Sequence, residues 1–169
     1  MNRFLWMIVL LLTSTSVAWA QPGGGCCRGQ RGGMQNEAHQ EDMLLFHYLL
    51  DHGDQITRSI EELPDGVLTV TESDNPEVAA KIQEHVKSMY ARVEDDRPIH
   101  QRDPLFAEIF QHSDAIEMSM ETTEKGIRVR ETSEDPYVVK LIKAHAEVVN
   151  RFLENGRPEM RRDHAVPAK

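Results

Sequence analysis

The sequence predicts an α+β fold: two copies of an α-β-β-α unit that together form a four-stranded antiparallel sheet, packed by helices around a pseudo-two-fold axis. Three observations lead there. The chain matches itself at an offset of 60 residues without a gap, each copy carries two alternating apolar and polar runs joined by a turn, and each copy ends in a long stretch of helical apolar spacing. The self-match sets residues 46–103 against 106–163, with about 17 identities. Phe46 falls on Phe106, His52 on His112, Gly66 on Gly126, Pro76 on Pro136, His85 on His145, and Arg102-Asp103 on Arg162-Asp163. Tandem duplication is the origin this implies.

The chain begins with one cation, Arg3, then the apolar run Phe4 to Leu12, then small residues ending in Ala18-Trp19-Ala20. An apolar core this short does not span a bilayer, and small residues at −3 and −1 suit a signal-peptidase cut after Ala20. Residues 1–20 are therefore expected to be a secretory signal peptide, with an uncleaved anchor as the rival, and the protein to be periplasmic or secreted without a stable membrane anchor after cleavage. Residues 21–40 are rich in Gly, Arg and Gln with little to bury, the composition of a flexible arm. Both cysteines, Cys26 and Cys27, fall in it. Adjacent cysteines pair only in a strained ring and would staple no core, which leaves oxidation, a bond to another chain, or a soft thiolate pair for Cu(I) or Zn(II).

Residues 41–169 are expected to form one globular domain of two repeats. Apolar residues at Leu45 and Leu49, and at Leu105 and Ile109, mark a short first helix in each, near Glu41–His52 and Pro104–His112. In the second copy Ile116, Met118 and Met120 alternate with Glu117, Ser119 and Glu121. Glu124-Lys125-Gly126 then turns the chain, and Ile127 and Val129 alternate with Arg128 and Arg130, which is a hairpin. The first copy repeats this over Ile56–Glu62 and Val67–Thr71 around Pro64-Asp65-Gly66. Asn75-Pro76 and Asp135-Pro136 place a capping residue before a proline, where its missing N–H costs nothing. Long helices over 76–93 and 136–153 follow, with stripes Val78, Ile82, His85, Met89, Val93 and Val138, Ile142, His145, Val149, Phe152, the second ending near Asn155-Gly156. A homodimer in which each unit pairs with one from another chain is a variant of the same pattern.

The composition narrows function by exclusion. With 28 acidic against 19 basic residues the net charge is −9, and loss of the signal segment takes it to −10, so nucleic acid is a poor partner. No GxSxG, HExxH, P-loop, GxGxxG or CxxC occurs, and no enzyme is supported. The absence of CxxCH excludes covalent c-type haem.

His85 and His145 are the candidate site. Each sits at the middle of an apolar helical stripe, where a buried imidazole needs partners for its nitrogens. Helices related by a two-fold axis cross at their midpoints, so if these two are neighbours the imidazoles meet within roughly 5 Å, as metal bonds of about 2 Å require. Imidazole suits Cu, Zn and Fe. Met89, one turn beyond His85, would add a thioether favouring copper, and the same pair could serve as axial ligands to haem b. The expectation is a small exported binding protein for a metal ion, copper first, or a haem. The alternative is a structural or interaction module meeting another envelope protein, with the histidines as core residues. His39, His47, His100 and His164 have no histidine at their 60-residue counterparts and are read as solvated or locally hydrogen-bonded. His52 and His112 are read as helix-end residues, each next to an Asp that caps the turn into the strand, and Met118 and Met120 as core filler.

Overall fold

The computed structural model describes residues 28–169, with side chains from His39 onward. The expected signal segment, both cysteines and the start of the arm lie outside the described residues. Helix α1 spans Arg28–Asp51, so it starts upstream of Glu41 and runs through residues 28–40, where composition suggested an arm. Its C-terminal half is anchored by buried Leu45, Leu49 and Leu50, and once a turn is nucleated each added residue costs little.

After a 3-10 turn come strands β1, Thr57–Leu63, and β2, Gly66–Glu72, then helix α2, Pro76–Glu94. The same order follows: α3, Pro104–Gln111, a 3-10 turn, β3, Glu117–Thr122, β4, Gly126–Thr132, and α4, Pro136–Asn155. The caps are those the sequence indicated. Asn75 Oδ1 accepts from Glu77 N at 3.0 Å and Asp135 Oδ1 from Tyr137 N at 2.8 Å, each with proline in the first helical turn. Gly156, at φ 62°, closes α4 by donating its N–H to Phe152 O at 2.9 Å.

The sheet order is β1-β2-β4-β3 and every pairing is antiparallel. In the central pair Thr69 opposes Val129, Val67 opposes Glu131 and Thr71 opposes Ile127. Thr57, Ser59, Glu61, Glu117, Ser119, Glu121, Arg128 and Arg130 are exposed on one face. The opposite face packs Val67, Ile127 and Val129 against the helices. Helix α2 lies chiefly over β4 and α4 chiefly over β2, with α1 beside α2 and α3 beside α4. Gly66 and Gly126 start the two central strands where the neighbouring backbone comes very close. A Cβ would fall 1.9 Å from Glu131 O at Gly66 and 2.0 Å from Thr71 O at Gly126.

The core includes Val67, Val78, Ile82, Leu105, Ile127, Leu141 and Ile142, none more than 2% exposed. At about 1.5–3 kcal/mol for each large apolar side chain, burial dominates the stability of the fold. Charged side chains on the helix-facing side of the sheet include Arg58 on β1 and Glu131 on β4. Arg58 donates to Ala146 O at 3.0 Å and Asn150 Oδ1 at 2.7 Å, tying β1 to α4. Burial drives the Glu131 carboxyl up to about 7, with the Arg58 charge acting weakly against it.

Candidate functional site

The interface of α1 and α2 is built from a matched set of side chains. Asp42 is buried and accepts from Arg92 Nε at 2.6 Å and from the Ser88 hydroxyl, while Arg92 also donates to Arg97 O at 3.2 Å. One turn further along α1, Phe46 stacks on the His85 ring at 5.5 Å between centroids and 16° between planes. His85 Nδ1 is enclosed and has no hydrogen-bond partner. Desolvation pushes this imidazole down to about 4, against a weaker opposing pull from Asp42, so the ring is neutral near pH 7.

At the interface of α3 and α4, the His145 ring meets Phe106 edge-on at 5.3 Å and 82°. Its imidazole is likewise held at about 4, by desolvation first and by the Arg58 charge second, with Asp103 opposing. Phe152 of α4 lies between the two interfaces, 5.4 Å from Phe46 and 5.9 Å from Phe106. The two imidazoles therefore sit at opposite ends of a run of three phenylalanine rings. Among the described residues no ring contact joins them. Helices α2 and α4 lie chiefly over different strands, and the ring contacts lead from His85 through Phe46, Phe152 and Phe106 to His145.

Two histidines that the sequence reading set aside join the same cluster. His100 lies 5.0 Å from Phe106 and 6.2 Å from Phe152, and His164 lies 5.8 Å from Phe152. His100 Nε2 is enclosed without a partner, 3.9 Å from Asp103 Oδ2, and desolvation lowers its pKa. His164 is far from solvated. It is 4% exposed between two carboxylates that are each 1% exposed, with Nδ1 2.5 Å from Asp103 Oδ2 and Nε2 3.2 Å from Glu159 Oε1. Each ring nitrogen thus faces a carboxylate oxygen, and the three side chains form one buried hydrogen-bonded unit. Asp103 Oδ1 also caps α3, accepting from Leu105 N at 3.0 Å.

The signal for this network was present in the chain as the repeated Arg-Asp pairs at 102–103 and 162–163. It was missed because asking for a histidine at the counterpart position excludes His100, opposite Met160, and His164, opposite Pro104. His52 donates through Nδ1 to Tyr48 O, 2.8 Å away, and stacks on Tyr48 at 4.1 Å. His52 and His112 are the N-cap residues of the two 3-10 turns, and neither makes a side-chain cap hydrogen bond there. Met89 is half-buried on α2, one turn beyond His85, and Met118 and Met120 pack on the core.

Among the described residues no three His, Cys, Asp or Glu side chains converge in a way that could hold a metal ion, and no helix is long and apolar enough to cross a membrane. No family model matches the chain, and no curated protein or solved structure matches it.

Proposed function

We propose that this chain is an exported, non-catalytic binding protein whose ligand is a metal ion, copper first, held by imidazoles of the ring cluster around Phe152. The observation that carries this reading is the enclosed, unpartnered Nδ1 of His85. A buried polar atom left without a partner costs about 1–3 kcal/mol, and a bound cation offsets that cost. Neutral imidazole is the ligating form, and desolvation keeps His85 and His145 neutral down to about pH 4. Met89 supplies the thioether that favours copper. Haem b is the second ligand for this reading, held through the same imidazoles.

We also infer that the chain arose by tandem duplication and carries a pseudo-two-fold axis through the Thr69–Val129 pair. These residues are 60 apart, and the same offset carries the pair Val67–Glu131 onto Ile127–Thr71. The second functional reading, an interaction module with core histidines, is favoured by the aromatic packing on all four rings.

The test is metal analysis and an absorption spectrum of full-length protein purified from the bacterial periplasm, on a Cys26→Ser, Cys27→Ser background that removes the thiolates. Near-stoichiometric copper, lost in His85→Ala and retained in His47→Ala, is the expected result. A Soret band would make haem the ligand, and a metal-free, colourless protein that stays so on copper titration would leave the interaction module.

A further inference from the structure

A cavity of about 520 Å3 lies beside the ring cluster, lined by His39 and Met43 of α1, by residues 100–103 ahead of α3 and by residues 160–163 after α4. The last two stretches are the same segment under the 60-residue offset, so Arg102 and Arg162 are counterparts that enter one cavity. Its charge runs against that of the chain. Three guanidinium groups, Arg102, Arg161 and Arg162, line it in a protein of net charge −9. Of its two carboxylates, Asp103 is already spent on His164 and on the α3 cap, leaving Asp163. Arg162 leans on Glu159 at 3.1 Å, whereas Arg102 and Arg161 take part in no ion pair among the described residues.

His100 adds a polar edge. It holds φ at 57°, a left-handed conformation uncommon for a residue with a Cβ, and its enclosed Nε2 lacks a partner. Size and charge then decide the ligand class. His39, Met43, His100 and Met160 are metal-donor types, but three guanidinium groups oppose a cation, and the volume lies in the range of about 300–1,000 Å3 typical of small-molecule sites.

We propose that this cavity binds a small polyanionic molecule carrying carboxylate or phosphate oxygens, with Arg102, Arg161 and Arg162 as its charged clamp. Guanidinium forks match both kinds of oxyanion, and the affinity is salt-dependent because the arginines are exposed. This goes beyond the copper reading and does not depend on it.

Calorimetric titration of the full-length protein with citrate, and separately with inorganic pyrophosphate, tests it. One-to-one saturable binding of either is expected, weakened at least tenfold in Arg102→Met and in Arg161→Met and unchanged in Arg151→Met, an exposed α4 arginine outside the cavity. Citrate alone assigns the carboxylate class and pyrophosphate alone the phosphate class. Thermal melts show whether the variants remain folded, and because both arginines are exposed either one suffices if the other melts early. Absence of saturable binding by both probes, or equal weakening in Arg151→Met, overturns the proposal.

Discussion

His85 and His145 each present a neutral imidazole to a phenylalanine face or edge, and the price of charging them is felt by the whole fold. Both sit at about 4 in the folded protein against 6.5 in the unfolded chain. The folded state therefore binds fewer protons between those values. The stability this provides is complete above about pH 6.5 and is lost as pH falls through about 4. An NMR titration is expected to show both imidazoles silent above pH 5, while the midpoint of urea unfolding falls between pH 6.5 and 4. In His85→Phe that fall should be shallower. Glu131 has the opposite sign. Its carboxyl is raised from 4.5 to about 7, so its contribution is complete below about pH 4.5 and is lost as pH rises through 7. Glu131→Gln is expected to raise Tm at pH 8 by several degrees, corresponding to about 1–3 kcal/mol, and to leave it unchanged at pH 4.5.

Elements whose identity rests on local period and local chemistry were legible in the chain. Both hairpins, the Asn75 and Asp135 caps and the Gly156 stop fall within a residue or two of their expected places. The alternation of Ile127 and Val129 also places Glu131 on the helix side, although a carboxylate at the end of an apolar row does not announce itself. The start of α1 was not legible, because Gly29, Gly32 and Gly33 disfavour a helix that is carried by packing farther along. Nor was the ring cluster, whose members come from α1, α2, the loop before α3, α3, α4 and the tail. Gly66 and Gly126 gain a meaning that sequence could not supply: each lies against the backbone of a strand of the other hairpin. Gly66→Ala and Gly126→Ala must each push β2 and β4 apart. Each is expected to cost about 3 kcal/mol or more in chemical denaturation, at the upper end of overpacking penalties, while Gly156→Asn costs less.

At the scale of the whole molecule, the C-terminal tail closes the structure. Beyond the 3-10 turn Glu159–Arg161 it delivers His164 between Asp103 and Glu159, and Lys140 donates to Ala168 O at 3.0 Å. Ending the chain at Asp163 would leave two carboxylates buried without the hydrogen-bonding partner they share. A broken buried pair costs about 3–5 kcal/mol, so this truncation is expected to lower Tm by on the order of 10 °C in a circular-dichroism melt. His164→Gln, which keeps some of the packing and hydrogen bonding, should fall between the two.

The crossed cover of the sheet, with α2 over β4 and α4 over β2, gives the connection at residues 95–103 an unusual freedom. It joins two stretches of chain, yet no seam in the folded body coincides with it, since each hairpin is roofed by the helix of the other half. A single nick there would separate the covalent halves without separating the molecule. The pieces would stay clasped through one shared core and melt together, and neither would hold its shape once its mate was withdrawn.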